Sequence, residues 1–348
     1  MRILLYTDVH WSETSSIVRG RGSRYSIRLE NLINSVNWAE SVAGKMDCDT
    51  VVCLGDFFDK PTLTAEEITA LKEIKWMDIP HYFLVGNHDA NINDLSYAST
   101  FVFSGDNFHI VSSPIILRDP TLTCNSDVLL LPYIMEDSRE PLETYFREGD
   151  KMAFTKRIVL SHNDLAGVNY GQFVSQVGFD VTDILNCCDL FINGHLHNAG
   201  FVDSTEKILN LGNLSGQNFS EDAMKYKHYC AVLDTDTLEI TYFENPYALN
   251  FYKLVIMNDQ DLAKVRLGAN AVLSVQCSSD MVSKVKERCN GVDVVASRIT
   301  TIVDISNVDQ VDISSLADTD YLQQFSEFIL EHMDHTQILI DELSRVVK

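Results

Sequence analysis

The sequence predicts an α/β fold in which two β-sheets pack face to face and helices cover the outside. Three observations carry that expectation. Short apolar runs rich in β-branched and aromatic residues recur along the chain, as buried strands do. Helical patterns lie between them. Five of the runs end on a turn bearing Asp, Asn or His, which places those side chains at the carboxyl rim where α/β sheets gather their chemistry.

In chain order, Ile3-Leu4-Leu5-Tyr6 leads into Asp8-Val9-His10, and Arg28 to Ile33 reads as helix. Val51-Val52-Cys53-Leu54 leads into Gly55-Asp56-Phe57-Phe58-Asp59, followed by a helical Ala65 to Leu71. Tyr82-Phe83-Leu84-Val85 leads into Gly86-Asn87-His88-Asp89. Further strands are expected near Ile110 and over Val128 to Leu131. Ile158-Val159-Leu160 then reaches Ser161-His162, and Leu190-Phe191-Ile192 reaches Gly194-His195-Leu196-His197, before a strand at Tyr229 to Leu233. All five turns fall within residues 1–245, read as one domain.

Composition shifts after Asn245-Pro246. Residues 246–315 alternate strand and helix, with strands at Ala271 to Cys277 and Val292 to Val303, enough for a small α/β cap. Residues 316–348 are helical by pattern, with Leu322, Phe325, Ile329 and Met333 as an apolar stripe. Such a stripe serves either packing on its own domain or docking on another protein.

The 348 residues carry a net charge of -23, which argues against a general polyanion-binding surface. Any nucleic acid must be held by a local basic patch, by metals or by a partner. The eight cysteines include no Cys-x-x-Cys pair, a usage that fits reduced thiols and a cytoplasmic setting. No run is long enough to span a bilayer, and the apolar start, cut short by Asp8, lacks an export-signal pattern.

The turns supply the donors that a pair of divalent cations needs: carboxylates Asp8 and Asp56, the amide oxygen of Asn87, and imidazoles His10, His162, His195 and His197. Two cations ~3.5–4 Å apart can bind a phosphate and generate hydroxide from water. Asp-x-His and His-x-His spacing puts both donors on one side of a strand end. Glycines 55, 86 and 194 permit tight turns there. His81, His109, His228, His332 and His335 lie outside the turns and read as ordinary polar residues.

The ordered set Asp8-x-His10, Gly55-Asp56-x-x-Asp59, Gly86-Asn87-His88-Asp89, His162 and Gly194-His195-x-His197 resembles the calcineurin-like metallophosphoesterase superfamily. Within it, Arg24-Tyr25-Ser26-Ile27-Arg28-Leu29-Glu30-Asn31, Leu131-Pro132-Tyr133, Gly212-Asn213-Leu214-Ser215 and Phe219-x-Glu221 resemble the SbcD-type nuclease subunit of SbcCD complexes and its phage relatives. Trp11-Ser12 and Asn213 depart from the narrower pattern, where Leu-Gly and Ser are usual. The resemblance implies that Asp8, His10 and His197 hold one metal, that Asn87, His162 and His195 hold the other, and that Asp56 bridges them. It implies manganese as the metal, with magnesium an alternative. It makes His88 a catalytic, non-ligand histidine and Asp59 its orienter. It implies a DNA exonuclease and single-strand or structure-selective endonuclease, a homodimer, working in the cytoplasm of a bacterium or phage-infected host with an SbcC-like coiled-coil ATPase docked on the terminal helices. A phosphomonoesterase or cyclic-nucleotide phosphodiesterase of the same superfamily is the alternative, and a scaffold with a dead site a further one.

Arginine is concentrated at Arg19, Arg21 and Arg24, soon after the first turn. Guanidinium suits bidentate phosphate contact, and Gly20 and Gly22 suggest an adaptable DNA-contacting loop.

Overall fold

In the computed structural model, β1 (Arg2–Tyr6) runs parallel to β2 (Thr50–Cys53), which runs parallel to β3 (His81–Leu84). Phe108–Val111 extends this sheet beyond β3; antiparallel Tyr229–Asp234 and Ile240–Glu244 extend it beyond β1. A second sheet holds four parallel strands in the order Ile208–Asn210, Leu190–Asn193, Lys156–Ser161 and Ser126–Leu131. Gly200–Phe201 and Ile115–Ile116 close its edges antiparallel. The structure describes residues 1–91, 94–117, 126–146, 156–168, 174–290 and 294–302.

Alternation along each strand decides what its two faces bury. Ile3 and Leu5 of β1, Val52 of β2 and Leu84 of β3 meet Val128, Leu130, Ile158, Leu160 and Ile192 between the sheets. Leu4, Tyr6, Val51, Cys53 and Phe83 face outward onto α1 (Ile27–Lys45), against Leu29, Leu32, Val36 and Ala39. On the far side Leu129, Leu131, Val159, Phe191 and Ile208 pack with Ile184 of the helix Val181–Cys187. The layers are therefore helix, sheet, sheet, helix. Burial on both faces explains why the strands read as unbroken apolar runs, each Leu or Ile contributing about 1.5–3 kcal/mol.

Local signals set the helix starts. The Ser26 hydroxyl accepts from Leu29 N to begin α1, and Thr64 with Glu67 forms a capping box that begins α2 (Ala65–Leu71). Residues 250–301 form a three-stranded parallel sheet, Asn250–Ile256, Ala271–Cys277 and Val294–Thr301. One of its faces has its own core around Tyr252, Leu273, Val275 and Val285. On the other, Phe251 and Val272 join Val18 and Leu249, so this sheet packs on the segment that carries the predicted arginines. Met1–Thr301 form one compact unit. The stripe Leu322, Phe325, Ile329 and Met333 lies outside the described residues. Among the described residues no helix is long and apolar enough to cross a membrane.

Candidate metal centre

Because β1, β2 and β3 are parallel, the turns that follow them leave the first sheet at one rim. The parallel strands of the second sheet deliver His162 and the His195-Leu196-His197 turn in the same way. The first two turns are zipped together: Asp8 N donates to Gly55 O (3.1 Å), His10 N to Asp56 O (3.0 Å) and Trp11 N to Phe57 O (2.7 Å). Asn163 and Asn193 tie the two turns of the second sheet, with Asn163 N donating to Asn193 Oδ1 (3.1 Å) and Asn193 Nδ2 to Asn163 O (2.9 Å).

Four of the predicted ligands sit in left-handed backbone: Asp8 (φ 50°), His10 (φ 47°), Asp56 (φ 49°) and His195 (φ 71°). Asp and His tolerate this region better than most residues, yet each such residue costs about 1–3 kcal/mol. Strain concentrated at one rim marks a place where side-chain direction is held against backbone preference. Gly86 shows how closely the turns approach: a Cβ there would lie 2.2 Å from Asp56 Oδ1 and 2.5 Å from Asp56 N.

The side chains converge in three groups, Asp8/His10/His197, His10/Asp56/His88 and Asp56/His162/His195, with ligand atoms in each within 4.8 Å of one another. Asp56 Oδ2 is 3.1 Å from His162 Nε2 and 3.9 Å from His10 Nε2, so it belongs to both sides. Asn87 joins the second side, its Oδ1 3.1 Å from His195 Nδ1.

The protons on these rings can be placed from their outer partners, which can only accept. His10 Nδ1 donates to Asp59 Oδ1 (3.2 Å), His197 Nδ1 to Glu221 Oε1 (2.8 Å) and His162 Nδ1 to the Leu54 carbonyl (2.8 Å). Their Nε2 lone pairs therefore point inward. His10 Nε2 and His197 Nε2 are 3.2 Å apart, and His162 Nε2 faces a carboxylate oxygen. Such atoms cannot face each other without positive charge between them. Asp8 Oδ1 and His162 Nε2 are also buried without a hydrogen-bond partner. Separations of this size are those of two ligands each about 2.1 Å from a shared cation, so the donor set fits divalent metals.

The electrostatics agree. Burial alone would lower His10 and His162, but for His10 the Asp59, Asp8 and Asp56 carboxylates outweigh it and hold the ring up to about 10; Asp56 chiefly lifts His162 to about 9. The carboxylates of this rim thus favour positive charge on the imidazoles, and cations would compete with protons for the same ring nitrogens. Against the same burial cost, His162 and His10 hold Asp56 at about 2, and the imidazoles keep Asp8 well below the usual carboxylate range.

The first 199 residues match the family model described as calcineurin-like phosphoesterase. The chain belongs to that family. Family members use divalent metal ions to act on phosphoesters, and the α/β sandwich above is the family's fold. Among solved structures, an archaeal phosphodiesterase is 14% identical, covering 70% of this chain and 99% of its own, with a TM-score of 0.35. A dimetal phosphatase from Danio rerio is 12% identical over 67% of this chain and 91% of its own, at 0.38. The nuclease MPE of Pseudomonas putida is 15% identical over 51% and 72%, at 0.23. Likeness at these levels says nothing about substrate. No curated protein matches the sequence.

Within this phosphoesterase site, two predicted features stand differently from the sequence expectation. Asp59 was expected to orient His88; its carboxylate instead engages His10, and only its main-chain carbonyl accepts from His88 Nδ1, at 3.1 Å. Asp59 N donates to Trp11 O at 3.4 Å, so the pairing of the first two turns sets its side chain beside His10. His88 is exposed, its ring 4.8 Å from that of His10, and its main-chain N–H donates to Asp56 Oδ1 at 2.8 Å. A cleft of about 490 Å³ lined by Asp59, Lys60, Pro61, Asn87, His88 and Asn91 opens beside it.

The arginine segment is pinned where an adaptable loop was expected. Glu30 accepts from Ser23 Oγ, Arg24 N and Tyr25 N, and Val18 is buried beneath the cap sheet. Arg21 pairs with Glu66, Arg24 with Glu73, and Arg19 Nε donates to Ser16 O. Their side chains stay largely exposed, 60% for Arg21 and 63% for Arg24.

Several residues do work that the sequence did not assign to them. Buried Glu221 accepts from His197, Asn213 Nδ2 (3.0 Å) and Gln217 N (2.7 Å), and Asp164 accepts from His195 Nε2 (3.0 Å). Asp89, pushed up to about 7 by burial and by the Asp56 charge, accepts from Phe58 N and Gly86 N and so clamps two turns together. Arg28, buried in the first turn of α1, donates to His10 O at 3.1 Å. Asp89, Arg28 and Glu221 stand in the quoted motifs without an assigned role, and only its nearness to His162 in sequence could have flagged Asp164.

Proposed function

We propose that this phosphoesterase is a DNA nuclease that cleaves phosphodiester links at a centre of two divalent cations, manganese or alternatively magnesium. Asp8, His10 and His197 would hold one ion, Asn87, His162 and His195 the other, and Asp56 both. The observation that supports this assignment is the inward-pointing imidazole lone pairs, each opposed to another acceptor. Bound there, the cations neutralise phosphoryl oxygens and lower the pKa of coordinated water.

The chain's own groups do the rest. Asp59, Glu221 and the Leu54 carbonyl hold three rings in the tautomer that turns Nε2 inward. His88 Nδ1–H donates a hydrogen bond to the Asp59 carbonyl and keeps its proton, which leaves Nε2 to face the reacting atoms; as an imidazolium the ring would pass its Nε2 proton to the leaving oxygen and remain as the neutral Nδ1–H tautomer. A DNA strand is favoured over a small monoester by Arg19, Arg21 and Arg24, exposed guanidinium groups on a hydrogen-bonded strip in a chain of net charge -23. Arg28 of α1, four residues beyond Arg24, donates to the His10 carbonyl. Exonuclease and single-strand or structure-selective endonuclease activity are both part of the proposal, with a homodimer working under an SbcC-like coiled-coil ATPase.

Labelled single-stranded and duplex DNA, set beside a nucleoside monophosphate with manganese, tests the substrate. Cleavage of the DNA is expected; hydrolysis of the monophosphate alone would turn the reading to the phosphomonoesterase alternative. Truncation after Ile313 tests the partner. It should abolish ATPase co-purification and leave hydrolysis of a small phosphodiester intact, and a truncated chain that still binds the ATPase refutes docking through the terminal segment.

A further inference from the structure

The His195-Leu196-His197 turn poses a geometric question. Residues two apart on an extended segment project to the same side, but His195 is in left-handed backbone (φ 71°) and Leu196 N donates to Gly194 O at 2.8 Å, so the turn sends its two imidazoles to different groups of donors. His197 lies with Asp8 and His10, His195 with Asp56 and His162. The two rings also differ in which nitrogen faces inward. His197 presents Nε2, the far nitrogen, 3.8 Å from Asp8 Oδ1. His195 presents Nδ1, the near nitrogen, 3.1 Å from Asn87 Oδ1. His10 and His162 also present Nε2, so His195 is the exception among the four.

The outer partners account for the choice. Glu221 occupies Nδ1 of His197 at 2.8 Å; Asp164 occupies Nε2 of His195 at 3.0 Å. The fold holds the Glu221 carboxylate directly and Asp164 through its main chain. Glu221 also accepts from Asn213, Gln217 and Asn218. The main chain of Asp164 is held by Phe179 N donating to its carbonyl at 3.0 Å, and Gly178 packs so closely on it that a Cβ there would lie 2.3 Å away. Asp164 is therefore aimed at His195 by the pairing of Leu165–Ala166 with Phe179–Asp180.

We propose that Asp164 is a positioning residue that assigns His195 to the second cation, by holding the Nε2 proton and turning Nδ1 inward, while Glu221 assigns His197 to the first by the opposite choice. One short turn thereby serves two ions. The inference rests on the two-cation reading and deepens it.

Manganese(II) titration of the full chain, with electron paramagnetic resonance of the loaded protein, tests it. The unmodified protein should bind two ions that give a spin-coupled pair. Asp164→Ala should weaken one ion by about 10–100-fold, the usual cost of losing such a partner, leave the other unchanged and show the signal of an isolated ion. The melting temperature without metal should hold, which separates positioning from a role in folding. Asp164→Asn, whose amide oxygen still accepts from Nε2–H, should retain the pair. Adding His162→Ala to Asp164→Ala should cost no further ion, because both act on the same one. Two ions bound by Asp164→Ala as tightly as by the unmodified protein, or both weakened alike, would overturn the assignment. An unmodified protein that binds fewer than two ions overturns the two-cation reading as well, so the two failures are distinguishable.

Discussion

Gly86→Ala is the sharpest perturbation of this centre, because it adds one methyl group and no charge. The new Cβ would stand 2.2 Å from Asp56 Oδ1 and 2.5 Å from Asp56 N, where ordinary van der Waals separation begins at 3.4 Å. Asp56 must retreat by about 1 Å, and the 2.5 Å approach is to main chain, so a rotamer change does not relieve it. The cost in stability should be about 1–3 kcal/mol, typical of overpacking and tolerable for a domain of about 5–15 kcal/mol. The cost in function should be larger. Asp56 is the carboxylate shared between the two sides of the site, and a displacement of this size lowers turnover by about 10²-fold. Manganese titration with hydrolysis of bis(p-nitrophenyl) phosphate reads both effects. Gly44→Ala is the control: its Cβ meets only the flexible end of Met77, at 3.2 Å, and Ala gains about 1 kcal/mol of helix propensity in α1. Gly86→Ala with unmodified metal affinity and turnover would refute the view that this turn sets the position of Asp56.

Other substitutions separate the roles. His88→Ala should keep both manganese ions and lower turnover by about 10²–10⁴-fold, whereas His162→Ala should lose metal; equal metal loss in both would sink the distinction between ligand and proton donor. Replacing Arg19, Arg21 and Arg24 with Ala should weaken DNA binding and flatten its salt dependence, by about 0.9 in log–log slope for each phosphate no longer neutralised, with bis(p-nitrophenyl) phosphate hydrolysis unchanged. DNA affinity that stays constant in a salt titration removes the strip from the substrate path. In chelator, His10 and His162 are held at about 10 and 9, above the ordinary imidazole value. Their protonation stabilises the fold fully below about pH 6.5, and that stabilisation disappears as pH rises to about 9–10. The melting temperature should therefore fall over that window in chelator and recover on adding manganese. A flat profile would mean that neither ring holds the charge assigned to it.

Much of the molecule is legible in sequence because its determinants are local. A strand buried on both faces must be apolar throughout, so Ile3–Tyr6, Val128–Leu131 and Leu190–Ile192 announce themselves. Parallel strands must end at a common rim, so the residues that follow them, Asp8, His10, Asp56, Asn87, His162, His195 and His197, could be gathered into one centre before any coordinates. Ser26 and Thr64 cap their helices through hydrogen bonds that stay within one turn of chain. What pairs across the fold leaves no such trace. That Asp59 serves His10, that Glu221 and Asp164 choose opposite nitrogens of neighbouring imidazoles, and that Glu66 and Glu73 flank the arginine strip depend on elements distant in sequence and brought together by packing. The sequence by itself determined which atoms could bind metal. Only the tertiary structure decided which nitrogen of each ring faces inward, because a proton's place is set by the acceptor on the far side of the ring, and the fold supplies that acceptor.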